Sequence, residues 1–186
     1  MNRFDTSDLY SNVHPTAVGQ VGIIPFQESL NGFSTLEDLK DLETVRIIKP
    51  YAGWKTPFFK FCGGMVLPEE KSDFTIAAQR ELQQETGVTC PIGGFREILR
   101  TQKRQFAPHV GEFEVVLYLA FGCDFTDMKN PLYREVGDED EESAKVRFGE
   151  IMEPGKTWPI PTKPQQQAEM FGLHLEWLHR VQQTMR

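Results

Sequence analysis

The alternation of apolar and polar positions predicts six short strands on either side of one regular helix. Strands favour β-branched and aromatic residues and are bounded by turn-forming residues. The segments that meet this description are 18–26, 42–52, 58–62, 95–101, 113–123 and 144–148. Because the fifth segment is mostly apolar, we predict that it forms a central strand that is covered on both faces.

The most regular helical pattern of the chain follows the third predicted strand. Ser72 can cap the N-terminus of this helix, Asp73 suits its positive first turn, and Gly87 supplies a C-terminal stop. Apolar residues recur near the 3.6-residue period. They predict a buried stripe formed by Phe74, Ala77, Ala78 and Leu82.

Two further helices complete the predicted elements. A short one, capped by Ser34 or Thr35, runs to Leu39. A long amphipathic one covers residues 163–186, and its apolar side consists of Phe171, Leu175, Leu178 and Val181. Strands, a helix, more strands and a closing helix indicate the α/β class, as an α/β/α layered domain with a mixed sheet. We predict one domain over residues 16–186, preceded by a polar arm at residues 1–15.

Composition and charge narrow the possible partners. The 186 residues are 39% hydrophobic and 25% charged, which is typical of a soluble domain with a real core. The net charge of -7 argues against nucleic-acid or anionic-membrane binding, which needs a basic surface, but allows a local basic pocket for phosphate. The N-terminus lacks the apolar run of a signal peptide, and no segment has the length of a membrane span. A cytoplasmic protein is therefore expected.

The cysteines and histidines form no recognisable disulfide or zinc motif. Cys62, Cys90 and Cys123 are widely spaced and make no C-x-x-C pair. The four histidines do not join them at zinc-ligand spacing. We expect reduced cysteines and ordinary histidines.

The candidate chemistry lies on the regular helix. Glu81, Gln84 and Glu85 are three and four residues apart, so they share one helical face and offer several oxygen atoms to a hard cation such as Mg²⁺. Arg80 could orient one of the carboxylates through a bidentate hydrogen bond. The preceding Gly63-Gly64 pair allows a sharp turn or a close backbone approach. The same acidic spacing also occurs on solvated helix faces, so these residues alone leave both interpretations open.

The whole segment resembles the Nudix box, G-x5-E-x7-R-E-U-x-E-E-x-G-U, where U is a bulky aliphatic residue. The leading glycine of the box corresponds to Gly64. The matching positions after it are Arg80, Glu81, Leu82, Glu85, Gly87 and Val88. The order of strands and the closing helix also agree with the Nudix fold, so the chain is identified as a member of this family with a degenerate box.

The chain departs from the box at two places. The first glutamate of the E-E pair, usually a metal ligand in the family, is Gln84, which offers a carbonyl oxygen but no charge. The spacing from Gly64 to Arg80 is longer than in the box by two residues, and Ser72 stands where a glutamate is expected. Glu69 or Glu70 could replace that glutamate from the longer loop. These changes bear on catalytic competence and leave the fold prediction intact.

The resemblance implies a hydrolase that cleaves the pyrophosphate bond of a nucleoside diphosphate derivative, of the ADP-ribose or nucleotide-sugar class, with Mg²⁺ or Mn²⁺. Glu81 and Glu85 would be metal ligands, Gln84 a weaker third ligand and the Gly64 carbonyl a fourth. Arg80 would hold the glutamates in place. No nucleic acid or membrane is expected as a partner, and a homodimer is possible through residues 1–15 and 28–42.

A general base and substrate contacts are expected outside the box. Glu139, Glu141 and Glu142, in an acidic run before a strand, are candidates for the base, and we select Glu142; Glu112 and Glu114 are further candidates. Most of the acidic run could equally be a solvated loop. The selected substrate-binding residues are Arg46, Lys60 and Arg100 for phosphate and Trp54 for the base. The basic residues could instead lie on the surface, and Trp54 could be a core or rim aromatic. A proline-rich segment with Trp158, residues 155–164, could line the pocket or pack in the core.

Two functional hypotheses follow. The first is an active, metal-dependent hydrolase. The alternative is a catalytically weak or inactive Nudix domain that binds a nucleotide or a protein partner, which Gln84 and the longer loop favour. An unrelated acidic domain with a chance match to the box is a third interpretation. Metal bound between Glu81, Glu85 and the Gly64 carbonyl would support the first hypothesis. A collapsed helix face on which Gln84 bonds Arg80, with no cavity, would support the second.

Overall fold

The computed structural model describes residues 16–29, 32–49, 58–101, 104–105, 112–128, 142–160 and 163–185. Its strands are β1 (Gly19–Pro25), β2 (Glu43–Lys49), β3 (Phe58–Lys60), β4 (Met65–Val66), β5 (Phe95–Arg100), β6 (Arg104–Gln105), β7 (Glu112–Ala120), β8 (Glu142–Arg147), β9 (Thr157–Ile160) and β10 (Lys163–Glu169). Its helices are α1 (Phe74–Thr86), α2 (Phe148–Met152) and α3 (Gly172–Thr184), with short 3-10 helices at Leu36–Leu39, Pro68–Glu70 and Ile92–Gly94. Within these described ranges, no helix is long and apolar enough to cross a membrane.

The strands form a mixed sheet and two smaller antiparallel sheets. The largest has the order β4-β1-β7-β5, with β6 also paired to β7. The β1–β7 pairing is parallel, and the other pairings of this sheet are antiparallel. The second sheet has the order β3-β2-β8, and β9 and β10 form a two-stranded hairpin. The predicted α/β class with a mixed sheet is confirmed.

Strand β7 occupies the central position that its apolar sequence predicted. Side chains of a strand point alternately to opposite faces. Accordingly Val115, Leu117 and Leu119 join the cluster that contains Phe148 and Trp177 of α2 and α3. The other face, formed by Val116, Tyr118 and Ala120, packs in the cluster that contains α1 residues Phe74, Ala77, Ala78 and Leu82. The sheet therefore separates two helical layers, as the α/β/α arrangement requires.

Helix α1 begins one residue later than predicted. Asp73, and not Ser72, is the N-cap, because its carboxylate accepts hydrogen bonds from the backbone N–H and the hydroxyl of Thr75. Gly87 ends the helix in the left-handed region at φ 74° and donates its N–H to the Gln83 carbonyl. The predicted stripe of Phe74, Ala77, Ala78 and Leu82 is buried.

The long C-terminal helix predicted over residues 163–186 is wrong in its first part. Residues Lys163–Glu169 form β10, which pairs antiparallel with β9, and the helix itself is α3. Apart from Ala168, the side chains of β10 are exposed, so the segment has no apolar face to bury as a helix. Hydrogen bonding to β9 decides its conformation instead. Phe171 caps α3, and Leu178 and Val181 are buried as predicted.

Two side chains of the proline-rich segment, Trp158 and Ile160, belong to the core. Trp158 lies on β9, is 7% exposed and packs edge-to-face on Phe59 of β3. Its position is set by the β9–β10 hairpin, which places alternate side chains of β9 inward. Of the two alternatives that the sequence left open for this segment, the structure shows core packing.

Candidate active site

Residues 62–65, which we call the glycine segment, run extended against β1, where Cys62 pairs with Ile23 and Met65 with Gln20. Of the sharp turn and the close backbone approach that the glycine pair allowed, the structure shows the close approach. Gly63 has φ 145°, a region that favours glycine, and a Cβ atom there would overlap the carbonyl oxygen of Val21. The Gly64 carbonyl accepts a hydrogen bond from the Val21 N–H at 2.9 Å. The sequence can therefore make this close approach only with glycine at position 63.

The carboxylate of Glu81 faces Gly64, the second glycine of the glycine segment. A Cβ atom at Gly64 would overlap the Glu81 carboxylate. Glycine at this position thus leaves the space that the carboxylate fills, directly beside the backbone. Glu81 also accepts a hydrogen bond from Arg80 Nη1 at 2.6 Å.

Glu85, one helical turn after Glu81, contacts the first glycine. Its Oε2 accepts from the Gly63 N–H at 2.7 Å, and its Oε1 accepts from Lys60 Nζ at 2.5 Å. The side chains of Lys60 and Glu85 are only 12% and 11% exposed. The ammonium also donates to the Gly63 carbonyl at 3.3 Å. Lys60 therefore bridges the Glu85 carboxylate of the helix and the backbone of the glycine segment.

Arg80 links helix α1 to strand β4 and to the loop before the helix. Its Nε and Nη2 donate to the two carboxylate oxygens of Glu70 at 2.8 and 3.0 Å, and Nη2 also donates to the Met65 carbonyl at 2.8 Å. Its Nη1 contacts Glu81 and the Gln84 Oε1, the latter at 3.1 Å. The hydrogen bond to Glu70 is the main cause that raises the pKa of Arg80 above its ordinary value.

Glu70 is a buried carboxylate, 5% exposed, that the sequence identified only as one of two possibilities. Burial raises its pKa, but the hydrogen bonds from Arg80 and the Leu67 N–H outweigh burial, so the pKa is lowered overall. Counting forward from Gly64 gives five intervening residues before Glu70, which is the spacing of the box. The two extra residues of this chain therefore lie between Glu70 and Arg80, and the forward count would have found this partner.

The donor set of the helix face suits a hard cation, with few protein ligands. Glu81 and Glu85 offer carboxylate oxygens, Gln84 offers its amide oxygen, and the Gly64 carbonyl has a second lone pair for a further ligand. In the part of the chain that the structure describes, no three or more His, Cys, Asp or Glu side chains come together as a metal site. Mg²⁺ is commonly held by one or two carboxylates, waters and substrate phosphates. Glu81 and Glu85 meet that requirement, although an ammonium already contacts Glu85.

Among the predicted substrate contacts, Lys60 is the one that the structure brings to the helix face. Arg100, at the end of β5, forms ion pairs with Glu97 and Glu114, and its guanidinium lies 5.2 Å from the centre of the Phe74 ring. Its hydrogen bond to Glu97 is the main cause that raises its pKa. Arg100 lines a cavity of about 360 Å³ with Phe74 and Tyr118, at the opposite end of α1 from Glu85.

The remaining predicted residues are placed by the strands that carry them or lie outside the described residues. Arg46 lies on β2 and pairs through its backbone with Ala144, and Glu142 is the first residue of β8. Trp54, Glu139 and Glu141 lie outside the described residues. Their proposed roles in base stacking, phosphate binding and proton abstraction remain predictions. Glu112 begins β7, and Glu114 binds Arg100.

Cys62, Cys90 and Cys123 are buried, and none of the three forms a disulfide bond. All three belong to the core cluster on the α1 side of the sheet. A hydrogen bond between the thiols of Cys90 and Cys123 lowers the pKa of Cys90 and raises that of Cys123. They pack as small apolar residues in this cluster.

Comparison with known proteins gives a family and two structural likenesses. A family model described as NUDIX domain matches residues 40–171. A MutT/nudix family protein from Enterococcus faecalis is similar in structure, with a TM-score of 0.39 and 20% identity over 56% of this chain and 36% of that chain. An ADP compounds hydrolase is similar with a TM-score of 0.48 and 19% identity, over 72% of this chain and 59% of that chain. The chain thus spans less than two thirds of either structure. No curated protein matches it.

Proposed function

Since this chain belongs to the NUDIX domain family, whose members are generally hydrolases, we propose that it cleaves the pyrophosphate bond of a nucleoside diphosphate derivative. ADP-ribose or a nucleotide sugar is the proposed substrate class, and Mg²⁺ or Mn²⁺ the proposed cofactor. Glu81 and Glu85 are the proposed ligands of the cation, with Gln84 and the Gly64 carbonyl as neutral ligands. Arg80 is the proposed positioning residue.

One observation carries this proposal: two carboxylates of α1 face the two glycines of the glycine segment. The carboxylate of Glu81 fills the space that a side chain at Gly64 would take. The carboxylate of Glu85 accepts the Gly63 N–H. The side chains of Glu81 and Glu85 are only 12% and 11% exposed. Acidic residues that were merely solvated would not be buried in this way, because burial of a charge is costly unless it is used or paired.

The divalent cation, when bound, would supply charge neutralisation and activation of a water for attack on phosphorus. The residues of the chain provide its surroundings. Glu70 fixes the Arg80 guanidinium from the loop side, and Arg80 fixes the carboxylate of Glu81 on the helix. Side chains that are held in this way need little reorganisation during the reaction, which favours catalysis. We retain Glu142 as the proposed general base.

The alternative, a catalytically weak or inactive domain that binds a nucleotide or a protein, has support from two contacts. Gln84 bonds to Arg80, so its oxygen is already engaged. Lys60 bonds to Glu85, so the second carboxylate is already balanced by a positive charge. Both contacts must change if Gln84 and Glu85 are to bind a cation together.

The test is a screen of nucleoside diphosphate derivatives with Mg²⁺ or Mn²⁺, in which phosphate and monophosphate products are measured. We expect turnover of at least one member of the ADP-ribose or nucleotide-sugar class, and loss of turnover without metal. Glu85→Gln should lower kcat/KM by about two to three powers of ten, since a charged ligand of the cation is lost. Glu176→Gln is the matched control, because Glu176 is an exposed glutamate on α3.

Two outcomes would count against the hydrolase. One is unchanged turnover in Glu85→Gln, which would make the metal assignment wrong. The other is the absence of turnover together with tight nucleotide binding by calorimetry, which would establish the binding domain instead. Circular dichroism of each variant checks that folding is retained.

A further inference from the structure

We propose that Lys60 is a displaceable counter-ion that occupies Glu85 in the free protein and leaves it when an anionic substrate binds. The divalent cation and the substrate would then bind with positive coupling, each raising the affinity of the other. This inference rests on the proposed function and adds to it a means by which substrate binding controls the metal site.

The ammonium of Lys60 lies between α1 and the glycine segment, where a bound cation would lie. It contacts the Glu85 Oε1 at 2.5 Å and the Gly63 carbonyl at 3.3 Å, and the same carboxylate accepts the Gly63 N–H. Hard cations use both carboxylate and carbonyl oxygens as ligands, and here α1 supplies the first and the glycine segment the second. Lys60 thus satisfies the two with its own charge.

A divalent cation and the ammonium cannot share this carboxylate. A magnesium ion lies about 2.0 to 2.1 Å from its oxygen ligands. With Lys60 Nζ at 2.5 Å from the Glu85 Oε1, two positive charges would lie a few ångströms apart in a nearly buried site. Like charges at such a distance repel strongly where water is excluded. Binding at Glu85 therefore requires Lys60 to move away.

The local charge balance determines how the metal affinity responds. Among the side chains that the structure describes here, three carboxylates, Glu70, Glu81 and Glu85, are paired with two cations, Arg80 and Lys60. These five groups carry one net negative charge, and without Lys60 they carry two. Removal of Lys60 from Glu85 therefore raises the attraction of this site for a divalent cation.

The chemistry of lysine makes such a displacement feasible. An ammonium is a compact point charge on a flexible stem, and it forms good ion pairs with phosphate as well as with carboxylate. A pyrophosphate group at the site offers Lys60 a new partner and supplies oxygen ligands to the cation at the same time. Because coupling between two ligands is reciprocal, a metal ion that displaces Lys60 also prepares the ammonium for the substrate.

The experiment is a titration of the free protein with Mn²⁺, followed by calorimetry or by the electron paramagnetic resonance signal of free Mn²⁺. Lys60→Met should bind Mn²⁺ about tenfold more tightly than the wild type, which is within the usual range of coupling between sites. Lys145→Met is the matched control, because Lys145 is an exposed lysine on β8, and it should leave the affinity unchanged. Should Lys60→Met fail to fold, Lys60→Gln carries the same expectation.

A second arm measures the coupling itself with α,β-methylene ADP, a nucleoside diphosphate that resists hydrolysis. The affinity of the wild type for this analogue should rise about tenfold in saturating Mn²⁺, and the rise should be clearly smaller in Lys60→Met, where only the direct contact of the cation with the phosphates remains. Equal or weaker Mn²⁺ binding by Lys60→Met would overturn the inference, and so would the same coupling in both proteins. Because the first arm needs neither substrate nor turnover, it stays decisive if the hydrolase proposal fails.

Discussion

Two cations contact the same face of α1, and the structure holds them in different ways. Arg80 uses its planar guanidinium to bond both oxygens of Glu70, the Met65 carbonyl and two side chains of its own helix. Lys60 comes from a strand and places a point charge on Glu85 and, more loosely, on the Gly63 carbonyl. One cation fixes the geometry of the site, and the other sets its charge.

The difference follows from the two side chains. Arginine remains charged at any pH that a protein tolerates, and its forked donors fit a carboxylate in one orientation, so it suits a permanent buried pair. Lysine has rotatable donors and can exchange one anion for another. A site that needs both a rigid frame and a replaceable charge is therefore well served by one residue of each kind.

The largest effect should come from disturbing the glycine segment, which Lys60 contacts at Gly63 and Arg80 contacts at Met65. Gly63→Ala places a Cβ atom against the Val21 carbonyl at a φ that only glycine adopts easily, so we expect a loss of about 4 kcal/mol in the free energy of unfolding. Gly64→Ala overlaps the movable carboxylate of Glu81 instead. It should cost about 1 kcal/mol of stability but about tenfold in kcat/KM.

Urea unfolding of both glycine variants checks this expectation, with kinetic assays of the second. A similar loss of stability in the two variants would mean that both glycines of the glycine segment serve the fold in the same way. In that case the distinction between a glycine that permits the fold and a glycine that permits the site would be wrong.

Removal of Arg80 tests the rigid side of the comparison. Arg80→Met leaves the carboxylate of Glu70, which is 6% exposed, without its cation, and breaking a buried pair in this way costs about 3 kcal/mol. The double variant Glu70→Leu with Arg80→Met should recover most of this loss, because no buried charge remains. Chemical denaturation of the two single variants and the double variant gives the coupling energy. Additive losses would show that the pair contributes little.

The pH dependence of stability reports on the strand that carries Lys60. His174 of α3 is buried, stacks on Phe61 and accepts the Phe61 N–H, and burial followed by the charge of Lys60 lowers the pKa of His174 from 6.5 to about 3. A lowered pKa means that the unfolded chain binds a proton more readily, so stability is complete above pH 6.5 and is lost as the pH falls toward 3.

This contribution amounts to roughly 2 kcal/mol between about pH 7 and pH 5. His174→Asn should abolish it, so that the difference in unfolding free energy between the two pH values becomes smaller by that amount. Thermal or urea unfolding at both pH values is the measurement. An unchanged difference would show that His174 is protonated as readily in the fold as in the unfolded chain.

The smallest effect is expected from restoring the missing charge of the box. Gln84→Glu places a third carboxylate next to Arg80 and adds attraction for a divalent cation, so Mn²⁺ affinity should rise about fivefold, or about 1 kcal/mol. The Mn²⁺ titration of the free protein measures it, with Gln83→Glu, on the same helix, as control. A fall in affinity would indicate that the new carboxylate is neutralised by Arg80 and does not reach the cation.

The sequence predicted the parts of the fold that depend on short-range pattern. The stripe of α1 and its end at Gly87 follow from the helical period and from a glycine in the left-handed region. The central place of β7 follows from its apolar length. The conformation of β10 could not be predicted in this way, because it depends on pairing with β9 and its own side chains are nearly all exposed.

The candidate site shows the same limit. That Glu81, Gln84 and Glu85 share a face follows from their spacing alone. The pairing of Glu70 with Arg80 crosses a loop of unusual length, and the sequence indicated Glu70 only beside Glu69, although a count forward from Gly64 would have selected it. The contact of Lys60 with Glu85 joins residues 25 positions apart on different elements, and no local pattern carries it. Arg100 was expected near phosphate, and its contacts with Glu97 and Glu114 place it in another region.

The hydrogen bond from the Phe61 N–H to His174 has a consequence for how the protein is made. It joins residues that are 113 positions apart, and the neighbouring bond from the Phe171 N–H to the Phe59 carbonyl spans a similar distance. Contacts of such long range form late, because a large loop must close first. During synthesis the strand with Lys60 is therefore secured from both sides only after residues 171–174 have left the ribosome. The nascent chain therefore contains α1 and the glycine segment well before these long-range contacts can fix the strand that carries Lys60 beside them.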